Sequence, residues 1–385
     1  MAATATLKVA VASTLAFVEE FLEEEPVRNV EDVVDDILPL FYLLDLISER
    51  RKAVRIEGYA ETVVPSYSVS EFRSHFRLSV ETFEQLVVEL GNCPELPTGP
   101  QYGGREPISV VKHLLITLWF LGNQESIRAV SDRFNVTKSS VFTCVDRVCR
   151  ALKNNVTSQV IVWPTEERAR VIMEGFRMHR GLPGVRGAID GSHIPIKAPE
   201  ECPENYINRK HFHSVNLTAI CDHEMRFLDC YAGWPGSVHD SRVFKNCDFY
   251  QTVGDKIQDD SYLLGDSAYT LETWMMTPFK DRGNLTHQQR RFNFIHSSTR
   301  MVIERAFSLL KGRFRRLKFL DMSRIQDIPR VIIAACTVHN ICLNNDNLHE
   351  DFMDDIDDEV NGFENFLPAG CGAEEKRNNL MENCC

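Results

Sequence analysis

A mainly apolar stretch that ends at a carboxylate constrains the fold of this 385-residue chain more than any other part of its sequence. The stretch runs from Val185 to Ile189, and Asp190 and Gly191 follow it directly. Its composition predicts a buried strand, and the Asp–Gly pair predicts a turn directly after it. In open α/β sheets, ligands and catalytic groups gather at the carboxyl ends of the strands. We therefore expect Asp190 to be held by a cation or by hydrogen bonds, because an unpaired carboxylate is costly to bury.

Two further strands are predicted to follow this one closely. The segments at about 214–222 and 226–233 are rich in β-branched and aromatic side chains, and the tight turn Asp222–Glu224 separates them. Short turns of this kind join neighbouring antiparallel strands. With the stretch at 185–190, they give three successive strands.

The chain then alternates between helices and a strand. Asp240 lies near a predicted helix start, where negative charge is favoured. Tyr262–Gly265 is a fourth short strand that ends at Asp266, and Ser297–Lys318 is a long helix with Glu304 beside its apolar face. The order strand–strand–strand–helix–strand–helix is that of an RNase H-like fold. We therefore predict an α/β domain with a mixed sheet.

Four acidic side chains occupy positions from which they can converge. Asp190 and Asp266 end predicted strands, Asp240 begins a helix, and Glu304 lies in a later helix. Three or four oxygen ligands are what Mg²⁺ or Mn²⁺ prefers. Two such ions activate a water or a 3′-hydroxyl and stabilise the leaving oxygen in phosphodiester cleavage.

The region 66–180 is predicted to be helical and to contain a helix-turn-helix-like unit. Ser126 is expected to cap one short helix and Thr137 a second, with a tight turn between them. Polar side chains stand at the front of the second helix, where base edges and phosphates would be met: Lys138, Ser139, Ser140 and Thr143. We interpret the region as DNA-binding; the alternative is an ordinary packing unit of three helices.

Charge is distributed unevenly along the chain, although its formal net charge is −12. Residues 1–65 carry 13 acidic and 6 basic side chains, and residues 344–385 carry 12 acidic and 2 basic ones. The middle of the chain carries 30 acidic and 35 basic side chains and is mildly basic. We predict four segments: an acidic helical N-terminal extension (1–65), the helical region (66–180), the α/β catalytic domain (181–344) and an acidic, disordered tail (345–385).

Cysteine spacing and hydropathy indicate in which cellular compartment the protein is found. The 12 cysteines include no C-x-x-C pair, which is typical of reduced thiols in the nucleus or cytosol and argues against a Cys-rich zinc site. No apolar run approaches the roughly 18 residues that span a membrane. The weakly apolar start of the chain favours an amphipathic helix over a signal peptide.

Four blocks of the sequence resemble those of PIF/Harbinger-type transposases and their domesticated nuclease relatives. The blocks are AIDGSHIPI, GWPGSVHDSRVF, LLGDSAY and VIERAFSLLKGRFRRLK, and the likeness covers roughly residues 70–345. The resemblance implies an RNase H-like core and divalent-metal-dependent nuclease activity with Mg²⁺ or Mn²⁺. It assigns a catalytic D-D-E triad to Asp190, Asp266 and Glu304, and metal binding to these three residues and Asp240.

The same resemblance implies partners and a location. DNA is the expected substrate, and a separate Myb-like protein commonly supplies DNA recognition and nuclear import in such systems. We therefore expect a nuclear protein that is also cytoplasmic, has no membrane partner and, by analogy, forms a homo-oligomer. Domesticated relatives resemble transposases without implying mobilisation of their own gene. The alternative is a catalytically silent DNA-binding or scaffold protein.

Each acidic residue also has a purely structural interpretation. Asp190 could form a turn, and Asp240 could begin a helix without any further role. Asp266 could cap a helix, and Glu304 could pair with Arg300 on a helix surface. For the two histidines near these acids, His193 and His239, a structural hydrogen bond or a DNA contact is favoured over a zinc or general-base role.

Overall fold

A five-stranded mixed sheet lies at the centre of this computed structural model, which describes residues 54–96, 107–258, 260–345 and 369–384. Its strands are β1 (Val185–Pro195), β2 (Ser214–Cys221), β3 (Phe227–Pro235), β4 (Tyr262–Leu264) and β5 (Met275–Met276). Their order in the sheet is β3-β2-β1-β4-β5. β1, β2 and β3 are antiparallel neighbours, whereas β4 and β5 run parallel to β1. The predicted α/β class and mixed sheet are confirmed.

β1 is longer than the sequence predicts, and the turn predicted directly after Asp190 is wrong. Asp190 to Pro195 continue the strand because they pair in register with Ala219 to Ser214 of β2. On its other side, β1 pairs with β4 only as far as Ala188. Asp190 therefore lies within a strand, at the point where that strand loses one neighbour, and not at the strand's end.

Helices of six or more residues precede the sheet in the described chain. They are α1 (Val69–Phe76), α2 (Val80–Gly91), α3 (Val110–Gly122), α4 (Ile127–Arg133), α5 (Lys138–Ala151) and α6 (Glu166–Arg180). The side chains of Ser126 and Thr137 cap α4 and α5, as predicted, by accepting hydrogen bonds from the N–H groups of Ala129 and Ser140. Two capped helices thus stand at the predicted positions, and their role in binding DNA stays a prediction.

Four further helices of six or more residues follow β3 in the described chain. They are α7 (Asp240–Lys245), α8 (His287–Arg313), α9 (Ile328–Asn345) and α10 (Ala373–Cys384). α8 begins earlier than the predicted Ser297, because Thr286 and Gln289 form a capping box at its N-terminus. It also ends earlier, since Arg315–Lys318 form a 3₁₀ turn. α8 and α9 pack against the sheet and cover the core.

The last described segment differs from the disordered tail that the sequence predicts. Residues 373–384 form α10, and Ala373 is fully buried against the domain. The charged ends of two basic side chains add cation–π contacts, since Nζ of Lys376 lies over the ring of Tyr262 and Cζ of Arg377 over that of Phe279. The acidic composition of residues 345–385 predicted disorder, because the few side chains that pack against the domain contribute little to that composition.

One hydrophobic core joins the helices before the sheet to the sheet itself. Arg316, which is buried, crosses this junction. Its Nε donates to the carbonyl oxygen of Phe120 at 3.1 Å, and its Nη2 donates to that of Glu125 at 2.6 Å. Arg316 therefore has a structural role, because it holds the end of α3 and the loop after it to the segment that follows α8.

Most of the predicted N-terminal extension lies outside the described residues, as does the tail between residues 345 and 369. Among the described residues, no helix combines the length and the apolar composition that crossing a bilayer requires.

Candidate active site

Asp190 and Arg300 form an ion pair between the sheet and α8. The Asp190 Oδ2 atom accepts a hydrogen bond from Nη1 of Arg300 at 2.6 Å, and the two side chains are 13% and 11% exposed. The Oδ1 atom accepts the N–H of Gly191 at 2.8 Å. Both carboxylate oxygens of Asp190 are thus oriented, one by the backbone and one by a guanidinium.

Glu304 lies one helical turn beyond Arg300 on α8 and faces the same point. Its Oε1 atom accepts a hydrogen bond from Nη2 of Arg300, and its side chain is 30% exposed. The guanidinium therefore bridges Asp190 and Glu304, which are far apart in the sequence. The pairing of Glu304 with Arg300 that the sequence allowed is present, but it lies at the carboxylate cluster and not on a remote surface.

Asp240 reaches the cluster from the start of α7. Its Oδ1 atom accepts a hydrogen bond from Nδ2 of Asn216 on β2 at 2.6 Å. The carboxylate lies against Gly191, where a Cβ atom would stand 2.6 Å from the Asp240 Cγ atom. Asp240 is thus placed beside the residue that directly follows Asp190.

Asp266 follows β4 and is buried. Its Oδ1 atom accepts the N–H of Ala268 at 3.0 Å, which fixes the turn after the strand. Burial is the largest single influence on the pKa of Arg300 and lowers it, but the charges of Asp190, Glu304 and Asp266 together outweigh burial, so that this pKa is raised above its ordinary value. Asp266 therefore lies within electrostatic reach of the same guanidinium.

Tyr269 is a member of the cluster that the sequence analysis missed. Its hydroxyl is buried and has no hydrogen-bond partner within the described part of the chain. Its pKa is raised first by burial and then by the charges of Asp240, Asp190 and Asp266. The charges of three aspartates therefore act on one buried hydroxyl. The only available signal was its position three residues after Asp266, on the turn that the strand end predicts.

Comparison with known proteins gives this arrangement a context. A family described as DDE superfamily endonuclease matches residues 189–340, which include all four acidic residues. The human protein named Putative nuclease HARBI1 is 34% identical over 243 residues, which are 61% of this chain and 68% of that protein. The Arabidopsis thaliana Protein ALP1-like is 30% identical over 291 residues, 71% of this chain and 70% of its own length. The chain belongs to the Harbinger transposase-derived nuclease family. No solved structure matches it.

Members of a DDE endonuclease family generally use divalent metal ions, and the four carboxylates of this chain can be compared with what such an ion prefers. The four carboxylates outnumber the one guanidinium among them, and carboxylate oxygens suit a hard cation. The Tyr269 hydroxyl, which has no hydrogen-bond partner within the described residues, is within electrostatic reach of three of them. Within the described ranges, however, no three His, Cys, Asp or Glu side chains are arranged to hold a metal ion. The chemistry of the donor set fits a divalent ion, while Arg300 engages two of its donors.

Within the described residues, His193 and His239 contact groups other than the four carboxylates. Nδ1 of His193 lies 3.1 Å from Oγ of Ser214, and its carbonyl oxygen accepts from Nζ of Lys311 at 3.2 Å. Burial, followed by nearby positive charges, lowers the pKa of His193 to about 4. His239 contacts Arg209. These contacts agree with the structural role favoured from the sequence.

Proposed function

We propose that this chain is a transposase-derived nuclease that depends on a divalent metal ion and hydrolyses DNA phosphodiester bonds without catalysing transposition. One observation carries the proposal: Asp190 and Glu304, from a strand and a distant helix, share a single guanidinium. Burial and then the charges of Asp240, Asp190 and Asp266 raise the pKa of Tyr269, which supports a common location for these three carboxylates. The sheet order, with β1 central and β4 parallel beside it, agrees with the RNase H-like core that the resemblance implies.

Each carboxylate has a role in this proposal. Asp190, Asp266 and Glu304 would hold Mg²⁺ or Mn²⁺, with Asp240 as an additional ligand. When bound, such ions supply Lewis acidity that activates water for in-line attack and stabilises the leaving oxygen.

The remaining residues of the cluster orient these carboxylates. The N–H groups of Gly191 and Ala268 fix Asp190 and Asp266 from the backbone. Asn216 fixes Asp240. Arg300 neutralises the repulsion between Asp190 and Glu304 before any ion binds, so ion binding requires these two carboxylates to exchange part of their contact with it.

The helical region, the partners and the location belong to the same proposal. The capped helices α4 and α5 would contact DNA, with Lys138 and Ser139 exposed at the start of α5. We expect a Myb-like protein to supply target recognition and nuclear import, the protein to reside in the nucleus and also in the cytoplasm, and a homo-oligomer to form.

A nicking assay tests the catalytic proposal. The full chain is incubated with supercoiled plasmid in Mg²⁺ or Mn²⁺, and Asp190→Ala is expected to abolish nicking because it removes a ligand and leaves Arg300 without its main partner. Glu167→Ala is the matched control, since Glu167 is an exposed acidic residue on α6. Equal nicking by Asp190→Ala and the wild type would contradict the proposal.

A second candidate function is a DNA-binding or scaffold protein that no longer cuts. The observation that favours it is the occupied state of the cluster, in which Arg300 pairs with both Asp190 and Glu304. Metal titration separates the two candidates. A rise in melting temperature with Mn²⁺ that is lost in Glu304→Gln supports the nuclease. DNA binding without a metal response or nicking supports the scaffold.

A further inference from the structure

A cavity of about 260 Å³ includes in its lining Ser267 and Tyr269, which follow Asp266 closely in the chain. It is bounded by the turn after β4, by the chain that follows β5 and by α10. The side chains that line it include Ser267, Tyr269, Lys280, Arg282, Glu374 and Arg377. We refer to it as the α10 cavity.

The charge of the α10 cavity is suited to an anion. Three of its lining side chains, Lys280, Arg282 and Arg377, are cationic, and Glu374 is the acidic one among the lining residues of the described chain. Lysine and arginine bind phosphate groups through charge-assisted hydrogen bonds, and arginine adds a fixed planar geometry. A hydroxyl from Ser267 supplies a further donor to the lining.

Arg377 is held in place before any ligand arrives. Its guanidinium lies 4.1 Å from the centroid of the Phe279 ring, and its Nη1 donates to the carbonyl oxygen of Pro278 at 3.3 Å. Its Nε is buried and makes no hydrogen bond within the described ranges. A half-buried cation with an unused, buried donor is only partly compensated by its surroundings. An anion in the cavity would offset this cost.

The α10 cavity and the carboxylate cluster share a wall. Tyr269 lines the cavity and is also within electrostatic reach of Asp240, Asp190 and Asp266. Ser267, which also lines the cavity, directly follows Asp266 in the chain. A DNA strand whose reacting phosphodiester bond lies at Asp266 would therefore continue past Ser267 toward the cavity.

We infer that the α10 cavity binds a phosphate group of the same DNA strand that is cleaved, next to the bond that is cut. This inference rests on the proposed nuclease function and deepens it, because it assigns α10 a part in holding the substrate. The shared wall favours a phosphate of the DNA backbone over a free phosphate ion.

The test measures binding of a fluorescein-labelled DNA duplex to the full chain by anisotropy, without divalent ions and over a series of salt concentrations. Lys280→Gln and Arg377→Gln are each expected to weaken binding by roughly tenfold or more, as loss of a charged hydrogen bond does. Each should also reduce the slope of log Kd against log salt concentration by about 0.9 per lost contact. Arg170→Gln is the matched control, because Arg170 is an exposed cation on α6.

Unchanged affinity and salt slope in both variants would overturn the inference. Arg377→Gln also removes the contact with Phe279 and can therefore destabilise the protein. The melting temperature of this variant is measured alongside its DNA affinity. If that variant melts early, Lys280→Gln decides, because Lys280 lies outside α10.

A titration with inorganic phosphate separates the two sources of the anion. A rise in melting temperature that Lys280→Gln abolishes, with DNA affinity unchanged, would assign the cavity to free phosphate and overturn the DNA assignment. Because these measurements use no divalent ion, their failure is distinct from failure of the nicking test with Asp190→Ala.

Discussion

Gly191 lies so close to Asp240 that a Cβ atom on residue 191 would stand 2.3 Å from the Oδ1 atom of that carboxylate. Real Cβ atoms essentially never approach another heavy atom this closely. The glycine is thus required by close packing and not by a turn, since β1 continues through it. Its lack of a side chain is what allows Asp240 to lie beside Asp190.

Gly191→Ala is expected to displace the Asp240 carboxylate and to lower the free energy of unfolding by about 1–3 kcal/mol, as overpacking does. DNA nicking should fall with it, because Asp240 leaves the cluster. Urea denaturation and the plasmid assay measure the two effects. Gly91→Ala is the control, since a Cβ atom there meets nothing within 4 Å. Normal stability together with normal nicking in Gly191→Ala would contradict the close-packing argument.

Arg300→Gln is expected to lower the unfolding free energy of the metal-free protein by roughly 2–4 kcal/mol, because it leaves Asp190 and Glu304 without their shared cation. Mn²⁺ should then raise the melting temperature more in the variant than in the wild type, since the ion replaces the missing charge. Thermal unfolding in EDTA and in Mn²⁺ measures both. Arg305→Gln, an exposed position on the same helix, should change neither. An Arg300→Gln protein as stable as the wild type in EDTA would argue against the bridge.

Tyr269→Phe should leave the stability of the metal-free protein unchanged or raise it by up to about 1 kcal/mol, because a buried hydroxyl without a partner has lost its contact with water. Its nicking activity should nonetheless fall if the hydroxyl serves the cluster. Tyr262→Phe is the matched control, since that hydroxyl donates to the carbonyl oxygen of Pro183 at 2.7 Å. Loss of this satisfied bond should destabilise by about 1 kcal/mol. The same loss in both variants would show that Tyr269 is bonded like Tyr262.

His296 is expected to make stability depend on pH. It is buried on α8, burial is the main reason that its pKa is lowered to about 4, and its Nε2 lies 2.9 Å from the carbonyl oxygen of Met276. In the unfolded chain a histidine titrates near about pH 6.5. The unfolded chain therefore takes up the proton first, so this contribution is present above about pH 6.5 and is lost as the pH falls toward 4, by at most about 3 kcal/mol.

Denaturation of the wild type and of His296→Gln at a series of pH values between about 7 and 4.5 measures this effect. The variant should lose less stability over that range, whatever its stability at neutral pH. Asp229, whose pKa burial raises to about 6, acts in the opposite direction in both proteins and cancels in the comparison. His287→Gln, at an exposed position, should keep the wild-type dependence. If the stability of the wild type and of His296→Gln depended equally on pH, His296 would not be the source of this loss of stability at low pH.

The sequence was sufficient to predict four of the five strands and to single out the four acidic residues, because strands have short-range signals; it missed β5 and the true end of β1. It was not sufficient to predict the bonding among those residues. Arg300 could be foreseen as a neighbour of Glu304 on one helix face, but its bond to Asp190 depends on how α8 lies over β1. The extension of β1 to Pro195 likewise depends on pairing with β2, which is a long-range contact. The catalytic and metal-binding roles themselves stay predictions until the variants are measured.

Arg316 has a consequence for how this protein can be divided or recombined. Its guanidinium satisfies the carbonyl groups of Phe120 and Glu125 from a position just beyond α8. A fragment that begins at the sheet would leave that charge buried without acceptors, and a fragment that stops before the sheet would expose the end of α3. The helical region that would contact DNA and the domain that would cut it therefore depend on each other structurally. Exchanging either one with that of a relative requires the other to be exchanged with it.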